Sequence, residues 1–188
     1  MADKKEYRSS IRSEKLIRNA FIELLQNKTL DKITVTNIAD TAGLNRGTFY
    51  AHYTDIDMLI QSIEDEIVQN LCDLLSDVEY SNLLADPLPM FLKISEYLEQ
   101  NQELIKALMS SRTTTPFINQ LPDLIAQQLA SSENVEKEAE NNVSFEERCR
   151  FYAGGAGSLY MAWLRGTVSG SLEEVAYKLS EIIKQQMV

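Results

Sequence analysis

The sequence predicts an all-α protein, and three observations lead there. Seven Gly and four Pro in 188 residues are too few for a β fold that turns every ten residues or so. Leu, Ala, Glu, Gln and Ile fill long unbroken stretches whose apolar members recur at three- and four-residue spacing. Hydrophobic residues make up 44% and charged residues 24%, which suits one or two ordinary cores in a compact soluble chain and argues against disorder.

Charge narrows the function classes. The 28 acidic and 18 basic side chains leave a net charge of -10, which excludes a generally basic coat for nucleic acid or an anionic membrane. The distribution is uneven: residues 1–53 hold nine Lys or Arg and six Asp or Glu, whereas 54–188 hold nine and twenty-two, a split of +3 and -13. Attraction to a polyanion is therefore confined to the first third. The longest membrane-like run, Phe151 to Leu164, falls short of the roughly 18 residues of a spanning helix, so no membrane partner is expected. Two cysteines, Cys72 and Cys149, cannot build a disulfide framework, and the start Met-Ala-Asp-Lys-Lys-Glu has no apolar signal core. Both features favour the cytoplasm.

Taken in order, Ile17, Ala20, Phe21, Leu24 and Leu25 form the stripe of a first helix over about 10 to 26. Thr34 is placed to cap a short second helix, which turns Val35, Ile38, Ala39 and Ala42 inward and stops at Gly43. Asn45 caps a third helix through about His52. Two short helices around Gly43-Leu44-Asn45 have the layout of a helix-turn-helix, whose second helix enters the DNA major groove. Ala39 is small where the helices cross, and Phe49 is large enough to seal the core. Asn45, Arg46, Thr48, Tyr50 and His52 offer hydrogen-bonding groups for phosphates and base edges.

The run Ile33-Thr-Val-Thr-Asn-Ile-Ala-Asp-Thr-Ala-Gly-Leu-Asn-Arg-Gly-Thr-Phe-Tyr-Ala-His-Tyr-Thr-Asp-Ile-Asp-Met-Leu59 resembles the DNA-binding domain of the TetR family of transcription regulators. The likeness covers about residues 10 to 60, and its Gly-Thr-Phe-Tyr-x-His-Tyr segment is far more specific than a generic helix-turn-helix. It implies an all-α homodimer: an N-terminal three-helix helix-turn-helix DNA-binding domain over 1–53, then a C-terminal helical ligand-binding and dimerisation bundle over 54–188. It further implies a regulator of transcription, more often a repressor released by a small-molecule effector than an activator, reading a palindromic double-stranded operator. Carried over by position, Thr34 and Thr36 meet phosphates, Arg46, Thr48 and Tyr50 meet bases or the adjoining backbone, and His52 and Tyr53 flank the strand. Two positions depart from the family pattern. Ile56 stands where a phosphate-binding lysine is common, and Ala51 follows Tyr50. Lys4, Lys5, Arg8 and Arg12 offer compensating charge in an N-terminal arm, although such a leader is more often merely solvated.

Beyond the motif, Leu59, Ile60, Ile63, Ile67, Leu71, Leu74 and Leu75 predict a long linking helix from Asp55 to about Ser76. Asp86-Pro87 opens another to about Glu99, and Asn101 is placed to cap a short one through Ser110. Phe117 to Leu129 reads as helix and Ser131 to Asn142 as a loop. A helix over about Ser144 to Arg165 carries Phe145, Cys149, Tyr152, Leu159 and Trp163 on a large stripe and Gly155, Ser158, Ala162 and Gly166 on a small one. After Gly170, a Ser171-Leu172-Glu173-Glu174 capping box starts a last helix with Leu172, Val175, Ala176, Leu179, Ile182 and Ile183 in register. Following the family, Gly155, Ser158, Ala162, Val175, Leu179 and Ile182 are assigned to a four-helix dimer contact. The alternative, with both stripes inside one monomer, stays open.

The bundle holds more large flexible or aromatic residues than a tight core requires. Phe91, Tyr97, Met109, Phe117, Tyr152, Met161 and Trp163 are therefore the candidate effector pocket, suited to a mostly apolar or neutral polar ligand. A fully packed bundle without a ligand is the alternative. Catalysis is not expected: the single histidine, His52, lies in the third helix and leaves no base for a nucleophile pair. Gly154-Gly155-Ala156-Gly157 lacks both a preceding strand and a following Lys-Ser or Lys-Thr, so close helix packing explains it better than phosphate binding. Cys72, Cys149, Glu136, Glu138, Glu140, Glu146 and Glu147 show no ligand spacing, so neither metal nor cofactor is expected. Two functions remain besides the repressor: an activator of the same fold, and a helical interaction protein without an effector.

Overall fold

The computed structural model describes residues 2–76, 85–109, 122–127 and 144–185, and their side chains except those of 2–7, 76 and 145. Every regular element among them is helical. The helices are α1 (Ala2–Asn27), α2 (Val35–Ala42), α3 (Arg46–His52), α4 (Ile56–Ser76), α5 (Leu88–Met109), α6 (Phe145–Leu164) and α7 (Leu172–Gln185), with a 3-10 turn at Leu30–Lys32. A short helical stretch at 122–127 falls within the expected Phe117–Leu129 helix. Phe117 itself and the expected loop at Ser131–Asn142 lie outside the described residues.

The chain divides into a first compact unit, Met1–Glu66 with Ala107–Thr114, and a second, Ile67–Lys106 with Thr115–Val188. The boundary expected after residue 53 thus moves into α4. The reason is packing: Leu59, Ile60 and Ile63 of α4 are buried with Ile17, Ala20 and Phe21 of α1, Ile38 and Ala39 of α2 and Phe49 of α3. Without them the head would be short of apolar surface. Two polar ties fasten the same seam. The Tyr53 hydroxyl donates to Glu14 Oε1 at 3.2 Å, and Arg18 donates to Ser62 Oγ at 3.3 Å while pairing with Glu66.

In the second unit, Phe91, Ile94 and Leu98 of α5, Cys149, Ala153, Tyr160 and Leu164 of α6, and Leu172, Val175, Ala176, Leu179 and Ile183 of α7 are buried. Its interior is pinned by hydroxyls. Tyr160 donates to the Phe91 carbonyl at 3.0 Å, Ser95 donates to the Leu172 carbonyl at 2.9 Å, and the two hydroxyls lie 3.1 Å apart. Burial pushes the Tyr160 phenol up to about 12, so it stays neutral and remains a donor at ordinary pH.

Several expectations are corrected here. α1 begins at Ala2 rather than near residue 10, so the expected arm is helical backbone. Asn101 caps no separate helix; its Nδ2 donates to the Tyr97 carbonyl one turn back at 2.8 Å, and α5 runs unbroken to Met109. On α6 the core stripe keeps the expected Cys149 but beyond it runs one residue over from the expected positions. Ala153, Tyr160 and Leu164 are buried, while Tyr152, Leu159 and Trp163 are half-buried. Adjacent stripes on a helix lie only about 100° apart, and the stripe that finds partners for a buried phenol is the one turned inward. Gly166 belongs to no packing stripe: with φ 73° it closes the end of α6, its N–H reaching the Trp163 carbonyl at 2.8 Å.

Candidate nucleic-acid interface

The helix-turn-helix is built by three local devices. Thr34 and Asn37 form a reciprocal capping box, the Asn37 N–H donating to Thr34 Oγ1 at 3.2 Å and the Thr34 N–H to Asn37 Oδ1 at 3.3 Å. At the other end of α2, Gly43 takes φ 65°, and the Gly43 and Leu44 amides close on Asp40 and Ala39 at 3.2 and 2.9 Å. A side chain there would be strained by the backbone alone. Asn45 then starts α3, accepting from the Thr48 N–H at 2.8 Å.

These devices decide which side chains remain free. Thr34 accepts at its cap and keeps its own hydroxyl proton free to donate; Thr36 is exposed. On α3, Phe49 faces fully inward, which leaves Arg46 and Tyr50 side by side one turn apart on the outer face, with Tyr50 50% exposed. The Tyr50 ring is steadied edge-on against Phe49 at 5.7 Å. Next to this pair lie Gly47 and Ala51, also exposed and almost without side chains. The outer face thus combines two long hydrogen-bonding groups with a flat strip where a backbone can approach closely.

Four expected contacts look different in the structure. Asn45 and Thr48 are largely spent on each other, because the Thr48 hydroxyl also donates to Asn45 Oδ1 at 3.2 Å. The half-buried His52 lies 2.7 Å by Nε2 from the Ser13 hydroxyl, and that hydroxyl is also 2.9 Å from the Ser10 carbonyl. A serine has one proton; given to Ser10, it leaves Nε2 as the donor and Nδ1 as the free ring nitrogen. Tyr53 is corrected outright. It is 4% exposed, its hydroxyl is held by Glu14, and burial raises its phenol above the ordinary value. It seals the head and flanks no strand. The sequence could not separate Tyr53 from Tyr50, since the difference lies in whether the tyrosine within α3 or the one just past its end faces α1.

The other assigned residues are placed as follows. Gly155 and Ser158 are exposed on α6 and Ala162 is half-buried; Phe151, 71% exposed, extends the same stripe one turn earlier. On α7, Ile182 is exposed, but Val175 and Leu179 are buried in their own chain, so they are core residues, not contacts to a second subunit. Of the pocket candidates, Phe91 is buried and its carbonyl is taken by Tyr160; Met109 falls in the first compact unit. The Trp163 indole N–H donates to the Gly170 carbonyl at 2.8 Å, and Lys106 Nζ stands 5.5 Å over the ring. Trp163 is therefore a clamp on the loop between α6 and α7. Tyr97 is half-buried and accepts from Asn70 Nδ2 of α4 at 3.3 Å; Tyr152 and Met161 are half-buried. Ser95, Tyr160 and Asn70 went unpredicted, although a Ser or Tyr on an apolar stripe is a signal that a buried partner awaits it. Near a Cβ built at Gly157, Pro122 Cγ is 3.3 Å away, so close packing accounts for one of the clustered glycines. Among the described residues, no helix is long and apolar enough to cross a membrane.

Comparison with known proteins agrees with this architecture. Residues 85–185, more than half of the chain, match the family model of a TetR-type transcriptional regulator C-terminal region. A search of curated proteins gives no match. Solved structures of the same fold include the dihydroxyacetone kinase operon activator DhaS, with TM-score 0.66, 20% identity and coverage of 93% of this chain and 95% of that one. A TetR regulator from Streptococcus agalactiae 2603V has TM-score 0.65, 20% identity and coverage of 97% and 99%. The Thermus thermophilus FadR repressor in complex with lauroyl-CoA has TM-score 0.60, 20% identity and coverage of 93% and 95%. Fold and motif together define a helix-turn-helix regulator. The chain belongs to the TetR family of transcription regulators.

Proposed function

We propose that this protein binds a palindromic double-stranded operator as a homodimer and represses transcription until a small molecule occupies its C-terminal bundle. The observation that carries the DNA contact is the outer face of α3, where Arg46 and Tyr50 stand free beside Gly47 and Ala51 on a helix fixed by Asn45, Gly43 and Phe49. Thr34 and Thr36 would fix the register on the phosphates, and Asn45 Nδ2 would add a backbone contact at the margin, joined by Thr48 where its hydroxyl turns from Asn45 and by His52 in the tautomer whose Nε2 accepts from Ser13 and whose Nδ1–H donates. The exposed Phe151, Gly155, Ser158 and Ile182, with the half-buried Ala162, would form the contact between subunits.

The effector would be a mostly apolar or neutral polar molecule. Tyr97, Tyr152 and Met161 are its remaining candidate liners, and the Asn70–Tyr97 bond gives it a route to α4. That FadR holds an acyl-CoA supports a ligand site in a bundle of this fold, and DhaS, an activator, keeps the opposite sign of regulation as the second reading. The protein would act by binding in the cytoplasm, without catalysis. The test is substitution at the reading face, measured on a site selected by the wild-type protein from random duplexes. Arg46→Ala and Tyr50→Ala are each expected to cost about 1–3 kcal/mol per subunit on that site and less on random DNA. Equal losses on both would make the two residues phosphate contacts, and no binding of any duplex by the wild type would overturn the function.

A further inference from the structure

We propose that the exposed basic face of α1, formed by Arg8, Arg12 and Lys15, is a second DNA-contacting element that holds phosphates beyond the reach of α2 and α3. The inference rests on the DNA-binding function proposed above and extends it to residues outside the helix-turn-helix. Three observations carry it. First, residues 8, 12 and 15 recur at four- and three-residue spacing and so share one face of a continuous helix. All three are exposed, and among the described residues no carboxylate pairs with any of them. By contrast Arg18, one turn further on, is committed to Ser62 and Glu66.

Second, α1 runs beside the end of α3 and the start of α4 in the same direction. Ser13 meets His52, Glu14 meets Tyr53, and Arg18 meets Ser62 and Glu66. Going back along α1 from Ser13 therefore leads away from α4 and past the end of the recognition helix, for roughly 16 Å at 1.5 Å per residue. Arg8 and Arg12 lie on that overhang. Third, the head needs cations. Arg46 is the one Lys or Arg in α3, Ile56 offers no charge at the start of α4, and the acids Asp55 and Asp57 sit there instead. A protein of net charge -10 can hold a polyanion only through a concentrated patch, and the α1 face is such a patch. Flexible, unpaired Arg and Lys side chains with no neighbouring base-reading group suit phosphates, so the contact adds affinity without sequence preference.

The experiment uses the full chain with Arg8→Gln, Arg12→Gln and Lys15→Gln combined, against two duplexes: a site selected by the wild type and a random 40-base-pair sequence. The expected result is a shallower fall of log affinity with log salt, by about 0.9 for each lost contact, or up to about 5 for a dimer, and roughly the same fold-loss on both duplexes. Because all three side chains are exposed, the helical content and melting should not change; Arg12→Gln alone repeats the test with a smaller slope change if the triple variant folds poorly. Lys178→Gln, an exposed cation of the second unit, should leave the slope unchanged. An unchanged slope in the triple variant, or an equal change from Lys178→Gln, would overturn the α1 contact while leaving DNA binding intact. Failure of the wild type to bind either duplex would instead remove the function on which the contact rests.

Discussion

Gly155→Glu is expected to leave the chain folded and to leave it monomeric. A Cβ added at Gly155 meets nothing within 4 Å in the single chain, and the residue is exposed, so the substitution disturbs no contact within its own subunit. It does place a charge in the middle of the stripe Phe151, Gly155, Ser158 and Ala162, where a second copy would approach and where an unpaired carboxylate would be desolvated. Phe151, a large apolar side chain, is 71% exposed in the single chain and marks the same face. Losing the second reading head turns two-point attachment into one-point attachment, a loss of about 10²–10⁴-fold in operator affinity. Sedimentation velocity and operator titration on one sample measure both consequences. A dimeric Gly155→Glu protein that still binds would move the subunit contact elsewhere.

Phe49→Ala is expected to cost the head about 3–5 kcal/mol. The first compact unit, residues 1–66 with 107–114, has a total stability of only about 4–11 kcal/mol at usual values per residue, so this one truncation removes much of it. The ring is fully buried, it supports Tyr50 edge-on, and it lies 5.8 Å from the Tyr53 ring, so its loss loosens the recognition helix on two sides. Amide hydrogen exchange in α2 and α3 should accelerate sharply while α7, packed in the other compact unit, keeps its protection. Uniform acceleration across both units would mean that they unfold together, and no acceleration would mean that Phe49 does not hold the head.

What was legible in the sequence is what local chemistry decides. Thr34, Gly43 and Asn45 act through backbone groups two to four residues away, and Ile38, Ala39 and Phe49 follow from helical spacing. What failed needed knowledge of the neighbour. Nothing near Tyr53 in sequence says that Glu14 waits for its hydroxyl 39 positions earlier, or that Ser13 waits for His52. On α6, two adjacent stripes were each apolar enough to be the core, and the choice fell to Ser95 and the Phe91 carbonyl, which give Tyr160 its partners. Val175 and Leu179 share one periodic helix with Ile182, and periodicity alone does not separate a residue buried by its own chain from one left for a partner. The family match over 85–185 lies where no short motif stood out, because its signal is spread over many weak apolar positions instead of a compact run such as Gly47 to Tyr53.

The central claim is that α3 reads DNA sequence from a two-fold symmetric protein. Repeated selection by the wild-type protein from a pool of random duplexes tests it most directly. The expected product is one inverted repeat whose half-site centres are separated by about one helical turn or a multiple, protected symmetrically in a footprint and released steeply as salt rises. Enrichment of no sequence, or binding that ignores salt, would contradict it.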